Sequence, residues 1–275
     1  MTQIEDGART SAHSQQYTDA AGRLHDAVVK VAHCSCRLAA DDWLFARALA
    51  DRIDQNWIAE TRDNPAFFDG IVLLTKAYEI NSGACGHAAD VNATGKDAVS
   101  SADALSVVLF ETRFRNYLLW RREGFRDAGA IDGFGSAIVR SADGAILLVR
   151  QLAGNVNEGL SYFPSGFIDR RDVDADGSID ISASIARELS EEVGLQAQDL
   201  TRQPGFIVTR AGPHLSIGVV YDSPLTAKAL SERIQAYLGR TTDREIETTT
   251  FVREKADLKT LVLAPHCAVL LGRLL

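Results

Sequence analysis

The stretch that decides the fold is Ile181-Ser-Ala-Ser-Ile185-Ala-Arg187-Glu188-Leu189-Ser190-Glu191-Glu192-Val193-Gly194-Leu195. Ile181, Ile185, Leu189 and Val193 recur at every fourth position, which lays apolar side chains along one side of an α-helix. Gly194 suits the left-handed residue that closes a helix, with Leu195 folding back as its hydrophobic contact. The pattern predicts a helix that ends at about Val193.

Glu188, Glu191 and Glu192 stand at i, i+3 and i+4, so their carboxylates share a face at the edge of the buried stripe. Left alone, this is unfavourable. Each pair with Glu188 costs about 0.2–0.5 kcal/mol by repulsion. All three also crowd the C-terminal half of the helix, where the macrodipole favours cations. A hard divalent cation would reverse the sign of both penalties, because such ions take carboxylate oxygens. A solvated glutamate-rich helix is the plainer reading, and the helix alone does not decide between the two.

The flanking residues add context. Arg187-Glu188-Leu189-Ser190-Glu191-Glu192-Val193-Gly194-Leu195 is similar to the second half of the Nudix box, R-E-U-x-E-E-x-G-U, where U is a bulky apolar residue. Phe163-Pro164-Ser165-Gly166 resembles the P-G-G opening of the same box, with Ser in place of the first Gly. The resemblance covers roughly 130–275. It implies a Nudix α/β/α sandwich with a mixed sheet, and a hydrolase acting on phosphoric anhydrides. It further implies that Glu191 and Glu192 ligate Mg²⁺ or Mn²⁺, that Glu188 shares the metals or helps activate water, and that Arg187 holds the glutamate face by an ion pair. The Gly166 carbonyl would be a further metal ligand. The Glu245-Ile246-Glu247 stretch before Thr250-Phe251-Val252 is similar to a family segment that donates one more carboxylate, and Glu247 is preferred to Glu245. The small-molecule partner implied is a nucleoside diphosphate linked to another group.

The first half of the box departs from the family pattern. Asp172 holds the family's glutamate position six residues after Gly166, but residues 173–186 separate it from Arg187, twice the family interval. Asp169 or Asp180 could supply the carboxylate instead. Within this insertion, Asp172-Val-Asp174-Ala-Asp176-Gly177-Ser-Ile179-Asp180 resembles the opening of a calcium-binding EF-hand loop. Ala183 stands where the bidentate glutamate belongs, so a complete loop is absent. An acidic surface turn is the plainer reading, and Ca²⁺ ordering of the loop is the alternative.

The front half reads as an α+β unit. Leu24 to Leu38 is predicted as a strand, and Asp41 and Asp42 open a helix that runs to about Thr61, with Phe45, Leu49, Ile53 and Trp57 on its apolar side. Gly70 to Ile80 and Ala104 to Phe114 read as a strand pair around a long Gly- and Ala-rich excursion, expected to be a mobile loop. In the second half, Ser141-Ala-Asp143-Gly144 is expected to join two strands as a hairpin. The expected organisation is a flexible tail over 1–20, a substrate-shaping domain over 21–129 and a hydrolase domain over 130–275. Trp57, then Asn64-Pro-Ala-Phe-Phe-Asp-Gly70, then Glu111-Thr-Arg-Phe-Arg-Asn-Tyr117 loosely resemble a two-domain Nudix group acting on UDP-glucose and UDP-galactose. That makes an NDP-sugar the expected substrate, with ADP-ribose or dinucleotide-type diphosphates, or a non-catalytic nucleotide-binding or regulatory role, as the alternatives. Arg113 and Arg115, with Arg121 and Arg122 nearby, could grip its phosphates, and Arg150 could reach the diphosphate. His214 is expected in a turn.

Composition sets outer bounds. The 275 residues carry a formal net charge of -8, which argues against nucleic acid as a partner, since phosphate backbones select clustered cations. No run approaches the ~20 apolar residues of a membrane span. Met1 to Ala20 lacks the apolar core of a secretory signal. The cysteines Cys34, Cys36, Cys85 and Cys267 are too few for a disulfide scaffold. A cytoplasmic protein with reduced thiols is expected. Cys34-x-Cys36 with Cys85-x-His87 has the residue types of a zinc site, although free cysteines are more often small buried hydrophobes.

Overall fold

A computed structural model describes residues 27–81, 103–126, 129–242 and 244–275. The expected tail over 1–20, the excursion after Asn81, and Cys85 and His87 lie outside the described residues. In the front half the elements are β1 (Ala27–Val31), β2 (His33–Leu38), α1 (Leu44–Ala48), α2 (Ala50–Asp63), β3 (Ile71–Asn81), β4 (Ala104–Arg113) and α3 (Phe114–Arg122). There follow β5 (Asp132–Arg140), β6 (Ile146–Gln151), β7 (Ser161–Tyr162), β8 (Ser165–Phe167), β9 (Ser178–Ile179) and α4 (Ile181–Val193). The chain ends with β10 (Thr201–Arg202), β11 (Phe206–Ala211), β12 (His214–Asp222), α5 (Ala227–Leu238), β13 (Ile246–Val252) and α6 (Pro265–Leu274).

The fold is mixed α/β. The larger sheet has the order β1-β11-β12-β5-β6-β13, with the short strands β10, β7 and β8 attached to β12, β6 and β5. Only β12 and β5 run parallel in it. The smaller sheet is β3-β4-β2-β9, with β2 and β4 parallel. Helices cover both faces of the larger sheet, as β5 shows directly. Successive strand residues point to opposite faces. Phe134 meets His266 of α6, ring centroids 4.8 Å apart. Its neighbour Gly135 faces α4, where a Cβ would come within 2.5 Å of the Ile185 side chain. Gly135 thus lets the glutamate-bearing helix lie close on the sheet.

Helix α4 takes the predicted form. Asp180 caps it by accepting from the Ser182 and Ala183 N–H groups, at 2.9 and 3.1 Å. Gly194 ends it in the left-handed conformation at φ 67°. Ile181, Ile185, Leu189 and Val193 are all buried, and each is worth roughly 1.5–3 kcal/mol of apolar burial. The hairpin turn after β5 also forms where expected, with Gly144 at φ 81°.

The front half is less independent than the boundary near residue 130 implies. Of the run predicted as one strand over 24–38, the described residues from Ala27 form two strands that break at Ala32 and enter different sheets. β1 pairs with β11 on the edge of the larger sheet, and β2 lies inside the smaller one. In return, β9 comes from the insertion in the box and pairs with β2, Cys36 opposite Ile179 and Arg37 opposite Ser178. The Leu38 N–H donates to the Gly177 carbonyl at 2.8 Å beside this pair. Each half therefore lends a strand to the other's sheet. One apolar core runs through both, joining Leu73, Leu105 and Leu109 to Ile138, Leu147 and Ile185. The helix predicted from Asp41 starts at Leu44 and is interrupted at Leu49, whose φ of -118° and ψ of 23° are not helical. No helix among the described residues is long and apolar enough to cross a membrane.

Candidate active site

A cavity of about 1130 Å³ opens where the two halves meet. Gly166, Asp169, Arg171, Glu188, Glu191 and Glu245 line one end of it. Phe68, Phe114, Tyr117, Arg121, Phe125, Asp132, Phe134, Phe167, His214 and His266 line the rest.

The three glutamates of α4 occupy different environments. Glu192 is 5% exposed, and its carboxylate accepts from the Ser165 N–H at 2.8 Å and the Tyr162 hydroxyl at 3.3 Å. Burial pushes its pKa well above the usual carboxylate range, and Glu188 and Glu245 add to the rise against the pull of Ser165. Glu188 is pushed up to about 7, first by burial and then by Glu191 and Glu245, with Arg187 opposing. Glu191 is half exposed and pairs with Arg187 at 3.1 Å and Arg171 at 3.6 Å. Gly166 is pressed against this cluster, since a Cβ there would lie 2.1 Å from Glu188 Oε2.

Arg187 ties the group together, at 2.5 Å from Glu188 and 3.0 Å from Asp172. Burial works against its charge, but Glu188, Asp172 and Asp169 hold its pKa above the ordinary arginine value. Asp172 sits in a tight turn over Arg170–Asp172, where it also accepts from the Asp169 N–H and the Ser184 hydroxyl, at 3.0 and 2.9 Å. Asp169 caps the same turn by accepting from the Arg171 N–H at 2.7 Å and the Arg171 guanidinium at 2.6 Å. Burial opposes its ionisation, yet these bonds hold its pKa below the usual value.

Of the pair Glu245 and Glu247, the structure brings Glu245 to the cavity. Glu245 stands at the rim of the cavity, where partial loss of solvation and the charge of Glu191 raise its pKa. Glu247 forms an ion pair with Arg150 at 3.0 Å, and neither residue lines the cavity. A register shift between Ile246 and Thr248 breaks the strand alternation that would otherwise put 245 and 247 on one side. Arg113 and Arg115 are likewise not brought to the glutamates. They pair with Asp69 at 3.0 and 3.4 Å, and Arg115 also with Asp54 at 3.1 Å, in a separate cleft. The arginines that do reach the cavity are Arg121, from the same basic segment, and Arg171, from the insertion.

In the insertion the acidic side chains are engaged locally, as in the plainer reading of an acidic turn. Asp172 turns inward onto Arg187, and Asp180 is committed to capping α4. Asp176 accepts from the Ser178 N–H and hydroxyl, at 2.9 and 2.7 Å, and Asp174 accepts from the same hydroxyl at 3.4 Å. The insertion is a capped turn followed by a strand. Cys34 and Cys36 lie on one side of β2 with their sulfurs 3.6 Å apart. The hydrogen bond to Cys36, together with burial, raises the Cys34 pKa.

Among the described residues no three acidic, cysteine or histidine side chains converge closely enough to hold an ion in their present rotamers. Glu188 and Glu191 are drawn to Arg187, and Glu192 to Ser165. The donor set nonetheless suits a hard divalent cation: burial first, and then neighbouring carboxylates, raise the proton affinity of Glu188, Glu192 and Glu245 beside one cavity. Rotation of Glu188 and Glu191 off Arg187 would present their oxygens to it.

At the other end, His214 begins β12 with its Nδ1 2.9 Å from Asp132 Oδ2. The Tyr117 hydroxyl donates to the same oxygen at 3.3 Å. The sequence reading missed Asp132 and His266, which carry no motif and become visible only when β5, β12 and α6 come together.

Neither the protein-family models nor the curated proteins searched match this chain. Solved structures resemble part of it. A Nudix hydrolase from M. smegmatis is 20% identical over 52% of this chain and 83% of its own, with a TM-score of 0.37. The Nudix domain of NrtR from Shewanella oneidensis, solved with ADP ribose, is 16% identical over 57% and 95%, with a TM-score of 0.35. A Bacillus subtilis pyrophosphohydrolase, BsRppH, is 13% identical over 51% and 77%, at 0.33. Likenesses this distant leave the chemistry to the side chains.

Proposed function

We propose that this chain is a divalent-metal-dependent hydrolase of the Nudix type. It cuts the diphosphate of a nucleoside diphosphate linked to another group, with an NDP-sugar as preferred substrate. The products are a nucleoside monophosphate and a phosphorylated partner. The observation that carries the reading is that Glu188, Glu191 and Glu245 line one cavity with Glu192 buried behind them, where burial first and neighbouring carboxylates next raise the proton affinity of Glu188, Glu192 and Glu245. Such clusters belong to sites with a task more often than to surfaces.

Mg²⁺ or Mn²⁺ held by these carboxylates and the Gly166 carbonyl would supply Lewis acidity toward the diphosphate and an activated water. The chain's own residues do the rest. Arg187 keeps Glu188 and Glu191 together, Ser165 fixes Glu192, and Arg171 and Arg121 offer positive charge to the phosphates. The front half closes the cavity with its aromatic side chains.

The test is a panel of NDP-sugars, ADP-ribose and dinucleoside polyphosphates assayed with Mg²⁺ and Mn²⁺. Turnover should require the metal and release a nucleoside monophosphate. Glu191→Gln and Glu192→Gln should cut it by orders of magnitude in folded protein. Near-normal turnover in both variants would remove the helix from the chemistry.

A further inference from the structure

Two residues that line the cavity, Asp132 and His266, each carry a buried polar atom without a hydrogen-bond partner, Asp132 Oδ1 and His266 Nε2. Both residues are more than nine-tenths buried, at 4% and 6% exposure. An unpaired buried polar atom is destabilising, so each calls for an explanation. The other oxygen of Asp132 is already engaged by Tyr117 and His214. His266 stays neutral, because burial pulls its pKa down to about 3.

Flat apolar surface surrounds these atoms. Phe134 packs on His266 with centroids 4.8 Å apart, and Phe125 on His214 at 5.0 Å. Phe167 joins this end to the glutamates, since it follows Gly166 in the chain and meets Tyr117 at 4.9 Å. Phe68 stands on the lining of the same cavity while 82% exposed. A large ring left in water at the mouth of a cavity gains most from a ligand that stacks on it.

We propose that this aromatic end of the cavity binds the base of the nucleotide, with Asp132 Oδ1 accepting an N–H from the base and His266 Nε2 making a second bond. An amine-bearing base (guanine, adenine or cytosine) is therefore selected. Uracil presents its N–H between two carbonyl oxygens, and at least one of them would face the carboxylate. The assignment rests on the proposed function for the identity of the ligand, but it is tested without turnover.

The probes are GMP, AMP, CMP and UMP, titrated calorimetrically into the full chain with chelator present. At least one amine-bearing monophosphate should bind about tenfold or more tightly than UMP. Asp132→Asn can turn its amide nitrogen toward the ligand, and should shrink or reverse that ratio. Phe68→Ala, a change at an exposed position, should weaken every binder. Equal affinity for all four in the wild type, or no binding by any, overturns the subsite, as does an unchanged ratio in a folded Asp132→Asn variant. Discrimination among monophosphates without hydrolysis of any diphosphate would keep the subsite and remove the hydrolase. Hydrolysis that is indifferent to the base would do the opposite.

Discussion

At the glutamate end of the cavity, Glu188 and Glu191 share the guanidinium of Arg187 while Glu192 is buried behind them. At the aromatic end, Asp132 is answered by Tyr117 and His214 through one oxygen, with apolar rings around it. The first end lacks positive charge, and the second lacks a hydrogen-bond donor. Stability alone explains neither arrangement, since an apolar core of the same shape would avoid both costs. The proposed ligand, with a polyanionic, cation-binding part and a flat part that carries N–H groups, would answer both.

The comparison can be broken most severely at Gly166. A methyl group there must displace the Glu188 carboxylate, which is the flexible end of a side chain. Gly166→Ala should therefore fold with nearly unchanged stability, while turnover falls by roughly 10²-fold, the scale of a small misplacement in a reacting site. Unchanged turnover would mean that the position of Glu188 is immaterial.

A smaller effect separates the two arginine groups. Arg121→Ala should raise KM about tenfold with little change in kcat, because Arg121 lines the cavity and under the proposed function would stabilise bound substrate uniformly. Arg113→Ala should leave both constants alone, since Arg113 spends its charge on Asp69 in another cleft. Equal effects in steady-state kinetics would erase the distinction.

The smallest effect is on stability without metal. The Glu188 pKa is raised from 4.5 to about 7. Between those values the folded chain holds more protons than the unfolded one, so stability falls as pH rises. Melting in chelator should show Tm declining from pH 5 to pH 8, by roughly 2–4 °C for each kcal/mol lost. Glu188→Gln should flatten much of that decline. A Tm that rises over this range in the wild type would contradict the burial of an unneutralised acid cluster.

Helix α4 was legible because its signals agree: the four-residue apolar period, the glycine cap and the grouped glutamates all depend on local geometry. The insertion left two readings open because D-x-D-x-D-G is also the chemistry of a tight turn, and the strand it pairs with, β2, is remote from it in sequence. Residues 24–38 misled in a similar way. Strand propensity says that residues are extended, whereas the sheet they join depends on edges made elsewhere in the chain. The choice between Glu245 and Glu247 was not legible because a register shift early in β13 leaves no mark in the sequence. Asp132 and His266 carry no pattern, and contact across β5, β12 and α6 makes them a pair.

The most direct test titrates Mn²⁺ into the full chain and follows free ion by electron paramagnetic resonance. The wild type should bind at least one ion per chain. Glu191→Gln/Glu192→Gln should lose that binding, whereas Asp174→Ala in the insertion should retain it. Identical binding by the wild type and the double glutamine variant, or loss in Asp174→Ala alone, would contradict the assignment of the glutamate helix as the metal site.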